Sequence, residues 1–136
     1  MPAHFAKIIL ITQRFWKTIF FKLAVNSFRM NIEELRQYAL SLDSAMESFP
    51  FGNETLVFKV NNKIFLLASL SSEILQFNVK CDPIYAEELR EKYSSIMPGY
   101  HMNKKHWNTI IVDGTLSVSQ LKEFIKNSYL LVLKKK

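Results

Sequence analysis

The chain is poor in several residue types that define common functional classes. It has one cysteine, Cys81, among 136 residues; no intramolecular disulfide can support the fold, and a reducing cytoplasm is the simplest compartment. It has only three glycines, each in a turn-like context, so there is no glycine-rich phosphate loop and no Gly-x-Ser-x-Gly elbow. Metal-ligand spacings are missing as well. There is no Cys-x-x-Cys and no His-Glu-x-x-His, and Cys81, His101 and His106 leave a tetrahedral site incomplete. No uncharged apolar run reaches the roughly 18 residues of a membrane span, because Arg14 and Lys17 interrupt the N-terminal one. The expectation is a binding module without catalytic machinery, metal or cofactor.

The composition, 49% hydrophobic and 13% aromatic, is that of one globular domain able to bury a core unaided. Its charge is unevenly placed. Of the +6 total, Lys7, Arg14, Lys17, Lys22 and Arg29 contribute five, since residues 1–29 contain no Asp or Glu. The remainder is nearly neutral, so a polyanion partner requires local clustering of its lysines. Residues 1–29 form a separate unit in which Phe5, Ile8, Phe15, Trp16, Ile19 and Leu23 share one helical face and Lys7, Arg14 and Lys22 the other. Two readings stay open for this extension. Either it is a basic amphipathic helix, docked on the domain or on an anionic membrane surface, or Met30 is the natural start and the domain is 30–136.

From Met30 the pattern is regular. Asn31 caps a helix reaching about Leu42, with Glu33 and Glu34 in its first turn. Ser48-Phe49-Pro50-Phe51-Gly52-Asn53 is a loop. Thr55–Val60 and Lys63–Leu70 make a hairpin around Asn61-Asn62, followed by a strand over residues 74–80 with Leu75, Phe77 and Val79 inward. Asp82 and Pro83 open a second helix, with Ala86, Leu89, Tyr93 and Ile96 on its buried stripe and Arg90 on its solvated one. Tyr100–Asn103 and Trp107–Asp113 are predicted as two strands joined by Lys104-Lys105-His106. Ser117 or Ser119 caps a last helix carrying Leu121, Phe124, Ile125, Tyr129 and Val132. The order α-β(3)-α-β(2)-α predicts an α+β two-layer sandwich with an antiparallel sheet and one exposed sheet face.

Several stretches carry a family resemblance: Phe49-Pro50-Phe51-Gly52, the Val57–Val60 and Lys63–Phe65 hairpin, Leu89-Arg90-Glu91-Lys92-Tyr93, the block from Pro98 to Asn108, and Ser128-Tyr129. In this order they resemble the bacterial MmcQ/YjbR family across 30–136. The resemblance implies a fold like that of type III secretion chaperones, also termed CyaY-like. It also implies DNA binding, the role generally suggested for members, and no enzymatic activity.

The residues add a site to that expectation. Lys104 and Lys105, with Lys59 and Lys63 on the first hairpin, suit phosphate contacts of a double-stranded DNA partner. His106 and Asn108 stand beside them, and asparagine suits an adenine edge. Tyr100 and Trp107 offer rings for stacking or for a ligand pocket. In the structural alternative Trp107 is core, the lysine pair is a solvated turn, and the histidines serve local hydrogen bonds. A second function fits the same residues: a protein-interaction or small-ligand module using the exposed sheet face or a pocket near Tyr100 and Trp107.

Overall fold

The computed structural model describes residues 29–134. The amphipathic reading of the N-terminal extension therefore lies, apart from Arg29, outside the described residues, as do the last two lysines. The elements are α1 (Ile32–Ser41), β1 (Met46–Ser48), β2 (Thr55–Val60), β3 (Lys63–Ser69), β4 (Gln76–Lys80), α2 (Pro83–Lys92), β5 (Ile96–Pro98), β6 (Trp107–Ile111) and α3 (Val118–Lys134). The strands form one antiparallel sheet in the order β1-β2-β3-β4-β6-β5. This is the expected α+β class, with one strand more than predicted.

Local chemistry explains the ends of the elements. The Asn31 side chain accepts from the Glu34 N–H at 2.9 Å, and Asp82 accepts from Ile84 and Tyr85. Ser117 and Gln120 form a reciprocal capping box at 3.1 and 2.9 Å, which decides for Ser117 as the cap of α3. Asn61 and Asn62 have φ of 49° and 63°, the left-handed pair that a two-residue turn matched to strand twist requires.

Phe58, Phe65, Phe77, Leu66, Ile110 and Ile125 are fully buried between the helices and one sheet face, each burial stabilising by about 1.5–3 kcal/mol. A bulge between β2 and β3 lets both Phe65 and Leu66 point into that core, because Phe58 pairs with Leu66 and Lys59 with Ile64. The Phe65 carbonyl thereby leaves the ladder and accepts from the buried Ser128 hydroxyl at 2.6 Å. The Ser128 hydroxyl oxygen in turn accepts from the Lys80 N–H at 2.8 Å. Next along α3, the Tyr129 ring packs edge-on against Phe65 at 5.4 Å and its hydroxyl donates to the Asp43 carbonyl at 2.7 Å.

Three expectations are corrected. Met46–Ser48 is an edge strand on β2, too short for its three residues to show a period. α2 stops at Lys92, where Tyr93 turns extended. Ile96, three residues beyond Tyr93, mimics a helical repeat, yet it sits in β5 opposite Ile110. The strand expected at Tyr100–Asn103 is instead Ile96–Pro98, and Tyr100–His106 is irregular.

Candidate functional site

Two features of the sheet bear on function, the charge at its ends and the surface of its helix-free face. The Asn61-Asn62 turn defines one end. β2 rises to it and β3 leaves it. β4 rises to Lys80 at the same end, and Lys80 pairs with Trp107 at the start of β6. The loop carrying Lys104 and Lys105 joins β5 to β6 there too. Ser128 binds the Lys80 and Phe65 backbone at this level, and six further residues carry α3 roughly 9 Å onward to Lys134. Lys59, Lys63, Lys80, Lys104, Lys105 and Lys134 thus collect at the turn end. Two of the acids there, Asp43 and Asp82, lie beside them, and Asp82 is engaged as a helix cap. The opposite end carries Glu33, Glu34, Glu54, Glu73 and Asp113, from the start of α1 and the loops beside β2, β3, β4 and β6, with Arg29 the cation beside Asp113 and Gly114. The domain is close to neutral in sum and polar in arrangement.

The face away from the helices is covered at its margins by loops, which is why Val57 and Leu67 on it are buried. Register places Val57, Leu67, Asn78, Thr109 and Met97 in one row across it, and Lys59, Lys80 and Trp107 in the row nearer the turn end. Over the first row lies a concavity of about 520 Å³. Phe51 forms one wall and Tyr100, His101 and Met102 the other, above Leu67, Ser69, Gln76 and Asn78. Thr55, Ser71 and Ser72 close it toward the acidic end. No charged side chain lines it.

The β5–β6 loop is held over this groove by several interactions. Tyr100 N–H donates to the Thr109 hydroxyl at 2.9 Å, and that hydroxyl donates to Asn78 Oδ1 at 2.5 Å. His101 takes a left-handed φ of 56° and its ring meets Tyr100 at 4.0 Å between centroids. Gly99 is required where it stands, since an added Cβ would come within 2.7 Å of Trp107 Cβ. Arg90 secures the other side. Its Nε donates to Asn108 Oδ1 at 2.7 Å, and its Nη2 donates to the carbonyls of Trp107, at 3.2 Å, and Lys104. Arg90 is therefore turned inward, contrary to its expected place on the solvated stripe of α2.

Of the sequence-predicted residues, Lys59, Lys63, Lys104 and Lys105 come together at the turn end. Lys104 Nζ donates to the Gly99 carbonyl at 3.1 Å, while Lys105 is exposed. His106 is half-buried, and its carbonyl extends the sheet by accepting from Cys81 N–H at 2.8 Å. Asn108 does not face solvent: it is 1% exposed, and besides serving Arg90 it donates to the Ala86 carbonyl at 3.4 Å. Facing the core from β6, it cannot read a base edge. Tyr100 is 63% exposed and lines the concavity. Trp107, half-buried beside Gly99, lies outside its walls, so the pocket expected near both rings belongs to Tyr100 alone.

Phe51, His101, Met102 and Asn78 are site residues that sequence reasoning did not assign. Phe51 and the Tyr100–Met102 segment lie within the two most recognisable stretches of the chain, which nothing linear shows to be neighbours. Cys81 is half-buried, and burial pushes its thiol up to about 11. Among the described residues, no three His, Cys, Asp or Glu side chains are grouped to hold a metal, and no helix is long and apolar enough to cross a membrane.

A family model described as YjbR matches residues 40–131. The uncharacterised protein YbdF of Escherichia coli O157:H7 is 39% identical over 101 residues, spanning 74% of this chain and 83% of its own. The uncharacterised protein YjbR of Escherichia coli strain K12 is 32% identical over 100 residues, spanning 74% and 85%. The crystal structure of Deinococcus radiodurans DR2400, a DUF419 domain, superposes with a TM-score of 0.75 at 42% identity, over 79% of this chain and 81% of that one. A Pseudomonas syringae protein gives 0.66 at 26% identity, over 75% and 98%.

Proposed function

The chain belongs to the YjbR family, and we propose from its charge arrangement that it is a nucleic-acid-binding module of the cytoplasm, not an enzyme. The supporting observation is the gathering of Lys59, Lys63, Lys80, Lys104, Lys105 and Lys134 at one end of the sheet, with Asp43 and Asp82 among them, while Glu33, Glu34, Glu54, Glu73 and Asp113 lie at the other. Such a polarised domain orients a polyanion as it approaches and neutralises phosphates on contact, releasing counterions. The turn of β2 and β3 and the β5–β6 loop stand three strand spacings apart, roughly 14 Å, far enough to contact separate phosphates of one DNA.

The full chain is expected to bind a short DNA duplex in low salt, with affinity falling steeply as salt rises. Changing Lys104 and Lys105 together to Glu removes two phosphate contacts and introduces repulsion, lowering affinity about tenfold or more. Fluorescence anisotropy across a salt series measures both. No binding at low salt, or an unchanged constant in the double variant, overturns the proposal.

A second reading, a protein-interaction or small-ligand module, draws on the apolar side chains exposed around the helix-free face: Phe49, Phe51, Met97 and Tyr100. It predicts a partner captured equally well by the charge-reversed variant and after nuclease treatment.

A further inference from the structure

The groove on the helix-free face does something that a basic end alone does not. Its volume, about 520 Å³, lies in the range of small-molecule sites. Its lining is uncharged: exposed rings stand on its two sides and polar side chains on its floor. Such a site suits a neutral planar ring with hydrogen-bonding edges and does not suit an ion.

The donors and acceptors are oriented in advance. The Thr109 hydroxyl accepts the Tyr100 N–H, so its own proton goes to Asn78 Oδ1. That fixes the Asn78 amide and leaves its NH2 without a hydrogen-bond partner among the described residues, at the floor of the groove. Ser72 Oγ, on the wall, is a buried side-chain oxygen without a partner among the described residues. The Asn78 amide offers hydrogen bonds to an occupant, and the Ser72 hydroxyl borders the groove from beneath its surface. The exposed Tyr100 ring offers a face for stacking, with the His101 ring tilted 52° against it and His101 held at a left-handed φ.

Charge complementarity says what such a ring is attached to. Lys80 is on the same face as Asn78 and two residues along β4, roughly 7 Å away, and Lys59 lies in the same row as Lys80. A ring seated on Asn78 and Tyr100 with an anionic backbone passing these lysines is a nucleotide unit of a strand. We propose that the groove receives one unstacked base of a single-stranded nucleic acid, with Lys59 and Lys80 holding its phosphates. The domain then distinguishes single strands from duplexes, in which the bases are stacked and paired. This inference rests on the nucleic-acid reading above and specifies the form of the partner.

The full chain is to be titrated in low salt with four labelled probes of equal length: a single-stranded DNA, the same strand with abasic sites throughout, the matching RNA strand and the DNA duplex. The single strand is expected to bind about tenfold or more tightly than its abasic counterpart, since stacking one base is worth a factor of this order. Tyr100→Ala and Phe51→Ala, each removing an exposed ring from a different wall, are expected to lower single-strand binding toward the abasic level while leaving duplex binding unchanged. Because the two side chains lie on separate loops, a folding defect in one variant does not remove the test by the other. Comparison of the DNA and RNA strands identifies which backbone is preferred. Equal binding of intact and abasic strands, or full single-strand affinity in both variants, overturns the groove assignment while the phosphate-binding reading stands. Failure of all four probes to bind overturns both.

Discussion

Ser128 shows how much one small side chain carries. At the bulge between β2 and β3, its hydroxyl both donates to the freed Phe65 carbonyl and accepts from Lys80 N–H, and the residue is fully buried. Ser128→Ala keeps the shape but strands a buried acceptor and a buried donor, at about 1–3 kcal/mol for each group left unsatisfied. A fall in denaturation midpoint without change in the slope of unfolding against denaturant is expected; undiminished stability would show that the bridge contributes nothing. At this scale, residues acting on their near neighbours were readable. Asn31, Asp82 and Ser117 cap their helices through side-chain oxygens two or three residues away from the amides they serve. Asn108 and Arg90 were not readable, because an asparagine in a strand looks the same whether it faces water or an arginine 18 residues away in sequence.

At the scale of elements, the core strands and the three helices of the described residues could be anticipated from their periods, while the segment from Tyr93 to His106 could not. Helical spacing continued by chance from Tyr93 to Ile96 concealed the end of α2. The dense polar block after Gly99 resembles a strand tip but folds back over the sheet, because Thr109 takes the Tyr100 amide and Arg90 takes the carbonyls of Lys104 and Trp107. The arginine is thus a fastener for the loop that builds one wall of the groove. Arg90→Lys keeps the charge yet cannot reproduce the planar fork that reaches three acceptors. Losing even one such charged hydrogen bond, worth about 1.5–3 kcal/mol, is expected to speed amide exchange at residues 103–107 about tenfold or more while leaving β2 and β3 protected. Unchanged exchange in the loop would contradict this role.

Over the whole molecule, a chain whose formal charge of +6 sits mostly in residues 1–29 still presents a basic end, because antiparallel pairing returns distant lysines to one side. Sequence supplied the members Lys59, Lys63, Lys104 and Lys105; topology added Lys80 and Lys134 and removed Asn108. The same pairing brings the Phe49–Gly52 and Pro98–Asn108 stretches to the two sides of one groove, a relation between segments about fifty residues apart that no period or spacing encodes. Polarity along the strands is therefore the central feature, and the direct measurement is to titrate the isotopically labelled full chain with single-stranded DNA and follow each backbone amide by NMR. Perturbations confined to Asn61–Lys63, Lys80–Cys81, Tyr100–Trp107 and the groove floor at Leu67 and Asn78 are the expected result. Shifts centred on Glu33, Glu54, Glu73 and Asp113, or spread evenly over both ends, would contradict it.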